Sequence, residues 1–298
     1  MSVRCLVQPK PMPAQLIALM TAISYATCLI SARRALQYST PMTAALASAI
    51  VQTVTLWSTV FLTGGIPEVS PVAVILFIIV GILQLGTRLF AYTGVAKIGA
   101  SRSSTLQATS PLVSTVIALT ILQEEAGFAV LMGTLLVVIG IILISWRPEK
   151  QILNYRWWHI LLPLTAALLT GVNHPIRRYA LQISNQPVFL AALMGITSLT
   201  CISGYLTLPG AIKRLDWNRR ALIPLLSTGI FETLGIITVI YALSVGPVVV
   251  VAPVAATYPL WVLLGTVVFS RDLEQINVRI FISALCVMAG TAAIYTAN

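Results

Sequence analysis

Long apolar segments constrain the fold of this sequence more than any other feature. Windows of about 20 apolar residues, the length of helix that crosses the hydrocarbon core of a bilayer, recur along the whole chain between Gly, Pro and charged residues. Of the 298 residues, 9% are charged, against roughly 25% in an ordinary soluble domain. Because a soluble core of this length could not bury so much apolar surface, the sequence predicts an integral, multi-pass membrane protein.

Counting these windows predicts an all-α membrane fold of about ten transmembrane helices. The predicted spans are 14–32, 42–63, 72–96, 103–122, 127–146, 158–176, 188–208, 221–243, 248–269 and 277–296. The start of the chain carries no recognisable cleavable signal peptide or organelle-targeting leader. We therefore expect insertion into a cell membrane, with the bacterial inner membrane as the default.

A polar stretch, 147–157, lies between two halves of the chain that resemble each other. "SARRALQYSTP" from Ser31 is similar to "PIRRYALQISNQP" from Pro175, and "SPLVSTVIALTILQEE" from Ser110 is similar to "YPLWVLLGTVVFSRDL" from Tyr258. Ordinary composition would rarely align both pairs. The similarity therefore indicates an internal repeat.

The repeat has a geometric consequence for the membrane topology. We assign residues 1–146 to the first repeat, 147–157 to a linker and 158–298 to the second repeat. Because each repeat has five spans, an odd number, the second repeat enters the membrane from the opposite side. This predicts two inverted five-helix repeats, with a substrate site near the midplane between them.

Several motifs recur in both halves. Each half has a Pro inside its fourth span ("TSPL", "TYPL"), an acidic residue at the end of that span ("LQEE", "FSRD") and a fifth span that contains glycine. On these motifs each half resembles an EamA-type repeat of the drug/metabolite transporter (DMT) superfamily. The resemblance implies a secondary transporter that moves a small organic metabolite by alternating access. The second half departs from the family pattern, with Asp272 where Glu is usual and its glycine shifted to Gly290.

The basic residues, which give the chain a formal net charge of +10, are divided unevenly between the two sides of the membrane. With the first residue in the cytoplasm, the opposite segments carry thirteen Lys and Arg residues, and the cytoplasmic segments carry only Arg4, Lys10, Arg177 and Arg178. The positive-inside rule therefore favours both termini outside. Related transporters are often drawn with both termini in the cytoplasm, so the two arguments disagree.

Two double-arginine motifs are predicted to occupy the same position in the two repeats. Arg33 and Arg34 close the first span, and Arg177 and Arg178 close the sixth. Basic residues at helix C-termini interact favourably with the helix dipole. The alternative interpretation is that each arginine pair attracts anions to, or gates, an entrance to the transport pathway, one on each side of the membrane.

Strongly polar residues deep in the spans mark the candidate site. On the third span, Gln84, Arg88 and Tyr92 are spaced i, i+4, i+8 and share one helix face. Glu232 lies near the middle of the eighth span, and aligning the glycines three residues earlier puts it at the repeat position of Gln84. An intramembrane charge costs at least about 2.5 kcal/mol. We therefore predict that Arg88 pairs with Glu232 inside a cavity.

Two interpretations of this pair stay open. As a site for a zwitterion, Arg88 would hold a carboxylate through its bidentate fork and Glu232 would receive an ammonium, with Gln84 and Tyr92 completing the substrate site. As a structural strut, the pair would only stabilise the bundle.

Aromatic and hydroxyl residues are further candidates for the substrate cavity. Ser24 and Tyr25 lie deep in the first span, and Tyr258 and Trp261 follow a proline in the ninth. A proline kink could open that helix toward a pocket. Core packing is the alternative for Tyr258 and Trp261.

A histidine is the candidate for proton coupling. His174 is predicted near the end of the sixth span, directly before a proline. Because His exchanges a proton near neutral pH, coupling of transport to protons through His174 or Glu232 is a hypothesis. A His at a wet helix end is the alternative.

Other function classes fit the sequence less well. The chain has no HExxH motif, no aspartate-rich metal motif, no nucleophile elbow and no phosphate-binding loop, so we predict no enzyme activity, no cofactor and no metal site. No nucleic-acid-binding motif accompanies the basic residues. The predicted partners are a small-molecule substrate, the lipid bilayer and protons, and a monomer suffices, with a dimer possible. The predicted function is efflux of an amino acid or a similar zwitterion or anion; the alternative is a channel or a lipid scramblase.

Overall fold

The structure, a computed structural model, describes residues 14–145 and 156–269, together with 282, 286, 289, 290, 293 and 294 of the last apolar segment. All regular structure in these residues is helical. The α-helices are α1 (Ala14–Ala35), α2 (Pro41–Leu62), α3 (Pro71–Ile98), α4 (Ala100–Gln107), α5 (Ser110–Thr120), α6 (Phe128–Ser145), α7 (Leu161–Ile183), α8 (Pro187–Leu206), α9 (Arg219–Val245), α10 (Val248–Ala255) and α11 (Tyr258–Phe269). Most of the predicted tenth span, 277–296, and nearly all of the predicted linker lie outside the described residues.

Local sequence chemistry sets several helix ends. Proline occupies the first turn of α2, α3 and α8, where its missing N–H costs no hydrogen bond within the helix. The side chain of Thr40 caps α2 by accepting a hydrogen bond from the backbone N–H of Thr43 at 3.2 Å. Gly99 lies between α3 and α4 with a φ of 84°. Glycine occupies this position because the conformation is unfavourable for other residues.

Five helices of the described residues, α1, α2, α3, α8 and α9, are long and apolar enough to cross a membrane. Large apolar side chains point outward from them: Val54, Phe61 and Ile223 are 62%, 65% and 80% exposed. Soluble proteins rarely expose large contiguous apolar surfaces, whereas lipid solvates them. These helices confirm an all-helical, multi-span membrane protein, and they confirm the predicted count of ten spans only in part.

The predicted fourth and ninth spans are each broken into two helices. The fourth consists of α4 and α5, separated at 108–109, and the ninth consists of α10 and α11, separated at 256–257. Pro111 and Pro259 are the second residues of α5 and α11, and a proline there cannot donate a hydrogen bond to the preceding turn. Each of the two predicted spans is therefore interrupted next to its proline, and the interruption lies at the same place in both halves.

The helices cross the bundle in alternating directions, which defines two faces. Face A holds the start of α1 and the ends of α2, α5, α7 and α9, and face B holds their opposite ends. On face A, the backbone N–H of Ser70 donates to Ser184 Oγ at 3.0 Å. On face B, Thr40 Oγ1 donates to the backbone oxygen of Arg214 at 2.6 Å. Each contact joins the first half of the chain to the second.

Gly81 in α3 and Gly229 in α9 make equivalent close contacts between the halves. A Cβ atom on Gly81 would lie 2.8 Å from the backbone oxygen of Met194 in α8, and one on Gly229 would lie 2.8 Å from Val51 Cβ in α2. Glycine thus allows α3 to approach α8 and α9 to approach α2. This exchange of helix partners between the halves fits inverted repeats.

Helix α7 is longer than the predicted sixth span, 158–176. It continues to Ile183 because Ala180 and Leu181, which are buried, extend its core-facing stripe past the double arginine. Arg177 is therefore well inside the helix and 2% exposed, whereas Arg33 lies in the last turn of α1. The predicted equivalence of the two double-arginine motifs was wrong, and so was the placement of Arg177 beyond the span.

Candidate functional site

A cavity with a volume of about 100 Å³, lined by both polar and apolar residues, lies between the two halves of the chain. Its walls come from α1, α3, α7 and α9, and both helix breaks contribute to it, with Gln107 and Ser110 at one break and Ala256 at the other. The predicted site residues that line it are Tyr25, Gln84, Arg88, Tyr92, His174, Glu232 and Tyr258.

Glu232 is the centre of the hydrogen-bond network in this cavity. Its Oε1 accepts from Arg88 Nε at 2.5 Å and from Gln84 Nε2 at 3.5 Å, and its Oε2 accepts from the hydroxyl of Tyr92 at 2.6 Å. The side chains of Arg88 and Glu232 are 1% and 6% exposed. The predicted pairing of Arg88 with Glu232 is therefore confirmed, and Gln84 contacts its own repeat equivalent.

Helix α2 supports the network from the other side. Gln52, which is fully buried, accepts a hydrogen bond from Arg88 Nη2 through its Oε1. The hydroxyl of Ser48, one turn earlier, lies 3.1 Å from that of Tyr92. From the sequence alone, the i, i+4 spacing of these residues marks a polar stripe on one face of the second span, interpreted as a packing seam and not as part of the site.

Arg177 is a second buried arginine of the cavity. Its Nη2 donates to Gln84 Oε1 at 2.7 Å and lies 3.5 Å from Met194 Sδ. Gln84 thus connects Arg177 to Glu232. From the sequence, Arg177 was predicted only as a basic residue at the end of a span.

Helix α7 presents a polar face to the cavity. Thr170, Asn173, His174 and Arg177 line it, at spacings that place them on one side of a helix. His174 lies near the middle of α7 and not near its end, as predicted, because the helix continues to Ile183. Proton coupling through His174 or Glu232 stays a prediction.

Several polar atoms of the cavity residues have no hydrogen-bond partner among the described residues. They are Arg88 Nη1, Arg177 Nε, both amide atoms of Asn173 and Nδ1 of His174. Buried polar groups are bonded in the great majority of cases. Each of these atoms belongs to a residue that lines the cavity, and each is closed off from water-sized access in this form of the protein.

Ser24 and Trp261 are the predicted site residues that do not line the cavity. Trp261 lies instead on a separate crevice between α1 and α11, together with Ile30 and Leu264. Ser24 precedes Tyr25 by one residue, so it points about 100° away around the helix. Among the described residues, no group of three or more His, Cys, Asp or Glu could hold a metal ion.

The charged residues of the cavity leave one positive charge unbalanced. Arg88 and Arg177 carry two positive charges and Glu232 carries one negative charge. An uncompensated charge is costly away from water. An anion in the cavity would complete the neutralisation, and two guanidinium groups provide N–H donors suited to a carboxylate.

Comparison with known proteins gives a family match. The model of the EamA-like transporter family matches residues 12–146 and 157–296. Among solved structures, 29 chains match. One of them, described as "Crystal structure of protein", has a TM-score of 0.73 at 15% sequence identity, over 94% of this chain and 95% of that chain. This likeness shows a shared fold. A comparison with curated proteins finds no match.

Proposed function

This chain belongs to the EamA-like transporter family, and on that premise we propose that it is a secondary carrier for a small solute that bears a carboxylate. Membership makes it a DMT-type integral membrane transporter. The identity of the solute, the efflux direction and alternating access are the finer parts of the proposal. The observation that supports the solute class is the pair of buried arginines that line one cavity, each with an N–H group that has no acceptor among the described residues.

A carboxylate suits the unpaired donors of the cavity. Arg88 Nη1 and Arg177 Nε lack partners among the described residues, and a carboxylate oxygen accepts from both kinds of N–H. Charge-assisted hydrogen bonds of this type are roughly twice as strong as neutral ones. The negative charge also balances the excess positive charge of the cavity.

An amino group on the same solute fits Asn173 better than Glu232. Both oxygens of Glu232 already accept hydrogen bonds, from Arg88, Gln84 and Tyr92. The amide oxygen of Asn173 has no partner in the described part of the chain. We therefore retain a zwitterion as one solute class and move its ammonium from Glu232 to Asn173, whereas a net anion is the solute class that also balances the excess positive charge of the cavity.

The size of the cavity restricts the solute. A volume of about 100 Å³ is well below the ~300–1,000 Å³ of pockets for drug-sized ligands. It favours a metabolite of few heavy atoms over a lipid. One chain supplies every residue of this cavity, so we propose that the monomer suffices.

The test is uptake and counterflow in proteoliposomes of purified protein, after a thermal-stabilisation screen of amino acids and organic anions has supplied a solute. A ligand at a hundredfold excess over its Kd stabilises the folded protein by about 2.7 kcal/mol, so even weak ligands produce a measurable shift in Tm. We expect saturable counterflow. Conductance without saturation would contradict the carrier.

Arg177→Gln tests the arginine site itself. Hydrogen bonds to charged groups contribute about 1.5–3 kcal/mol, so we expect KM to rise about 10- to 100-fold for carboxylates. Arg220→Gln, at an exposed residue on face B, is the matched control and keeps the wild-type KM. If Arg177→Gln transports with an unchanged KM while remaining folded, the carboxylate does not bind there.

A further inference from the structure

Glu124, the acidic residue after the fourth span, joins the two halves of the chain on face A. Its Oε1 accepts from the backbone N–H of Val248 at 3.0 Å, and its Oε2 accepts from that of Val249 at 3.1 Å. These are the first two residues of α10. N–H groups in the first turn of a helix have no partner within the helix, and a carboxylate is favourable there. A side chain of the first half thus caps a helix of the second.

Arg178 extends this contact to α7. Its Nε lies 3.9 Å from Glu124 Oε1, and its Nη1 donates to the backbone oxygen of Leu243 at 2.7 Å. Leu243 belongs to the last turn of α9. Glu124 and Arg178 therefore hold together the loop after α5, the turn from α9 to α10, and α7.

The turn that carries Glu124 is strained. The preceding residue, Gln123, has a φ of 53° and is the one non-glycine residue of the described chain with a positive φ. The backbone N–H of Glu124 donates to the oxygen of Ala118 at 3.0 Å, which fixes this turn against α5. Strain of this kind persists where the surrounding structure enforces it, and it clusters at functional and switch regions.

The cavity and this contact meet at consecutive residues of α7. Arg177 donates to Gln84 in the cavity, while Arg178 contacts Glu124 and Leu243 on face A. Pro175, two residues earlier, interrupts the hydrogen bonds of α7. A displacement of the end of α7 by a solute on Arg177 would therefore displace Arg178 as well.

We propose that Glu124 and Arg178 form a polar latch that holds face A closed, and that a solute bound to Arg177 controls this latch through Arg178. The proposal rests on the carrier function proposed above, because it assigns the gate of that same cavity. Opening face A then separates Glu124 from the start of α10.

Side-specific labelling of Cys28 tests the latch without any solute. Cys28 lines the cavity and is buried, so it reports access to the cavity when Cys5, Cys201 and Cys286 are replaced by Ser. A membrane-impermeant thiol reagent is applied to face A of sealed, oriented vesicles. We expect Glu124→Gln to raise the labelling rate about tenfold, equivalent to about 1.4 kcal/mol. The control Glu125→Gln, at the exposed neighbouring acid, keeps the wild-type rate.

A second variant keeps the test decisive. Arg178→Gln leaves the cap on α10 in place and removes the tie to α7, so we expect a smaller increase in labelling than for Glu124→Gln. If Glu124→Gln fails to fold, Arg178→Gln alone decides. Wild-type labelling rates in whichever of these variants is folded would overturn the latch.

The coupling to the cavity needs the transported solute. We expect that the solute identified by counterflow changes the labelling rate of the wild type and does not change that of Arg177→Gln. An equal change in both would overturn the coupling while leaving the latch in place. Failure to find any transported solute would count against the proposed carrier. The labelling rates of Cys28 measured without solute would still test the latch.

Discussion

Replacing Glu232 by Gln leaves Arg88 as a buried charge without a counter-charge. The substitution keeps the shape of the side chain and an oxygen that accepts from Arg88 Nε, which now lies 2.5 Å from Glu232. It removes the negative charge and weakens the acceptor that Tyr92 uses at 2.6 Å. Breaking one partner of a buried ion pair costs about 3–5 kcal/mol. Because one acceptor is retained, we expect a loss near about 3 kcal/mol, at the lower end of that range.

The assay is thermal unfolding of the purified protein, followed by tryptophan fluorescence. At ~2–4 °C per kcal/mol for a chain of this size class, the expected fall in Tm is about 6–12 °C. Glu68→Gln, at an exposed acid in the turn before α3, is the control and leaves Tm unchanged. An unchanged Tm for Glu232→Gln would refute the reasoning that this carboxylate is what makes Arg88 tolerable.

A double variant separates loss of charge balance from damage to packing. Arg88→Met combined with Glu232→Gln removes both charges, and replacing a whole buried ion pair by uncharged residues is often neutral. We expect the double variant to recover most of the lost Tm and to lose transport. If it is no more stable than Glu232→Gln alone, the cost lies in packing and not in the isolated charge.

Two further predictions concern the fold. Gly81→Ala lowers the stability by about 2 kcal/mol or more, because the new Cβ would lie 2.8 Å from the backbone oxygen of Met194; Gly204→Ala, which meets no atom within 4 Å, is neutral in the same unfolding assay. The positive-inside rule predicts a cytoplasmic face B, so in intact cells we expect Lys213→Cys to stay protected from an impermeant thiol reagent and Glu68→Cys to react; the reverse pattern would place the termini in the cytoplasm.

The sequence was sufficient for the membrane class, the family and the central ion pair. These follow from properties that one chain displays directly. Apolar windows report the environment of a helix, and the cost of burying Arg88 requires a partner, for which Glu232 was the one carboxylate near the middle of a predicted span.

The sequence analysis failed where a local charge pattern competed with helical periodicity. The double arginine ended the predicted sixth span at residue 176, because basic residues commonly close a transmembrane helix. Ala166, Thr170, Asn173, Arg177 and Ala180 nevertheless continue one face with spacings of three and four. That periodicity was the available signal that Arg177 is in the cavity.

Because Arg177 lies inside the bundle, the basic residues are divided even more unevenly between the two sides of the membrane. Of the four basic residues first assigned to the side of the termini, Arg177 lies inside the bundle, which leaves three in the sequence-based tally for that side, Arg4, Lys10 and Arg178. The thirteen basic residues of the opposite segments are unaffected. The charge argument for a cytoplasmic face B is therefore stronger after the correction.

The two inverted repeats have similar helix arrangements, but residues at equivalent positions differ in charge. Gln84 and Glu232 are repeat equivalents that meet in the cavity. Leu29 and Arg177, which both line it, lie at equal distances from the ends of α1 and α7. In a perfectly symmetric carrier, the forms open to face A and to face B would be related by a two-fold rotation and would have equal free energy. Here Arg88 in the first half, and Arg177 and Glu232 in the second, are not matched by the same charge at the equivalent positions of the other half, so the two forms differ in energy. If transport follows the proposed alternating access, the empty protein favours one entrance, and a solute must supply binding free energy to reverse that preference.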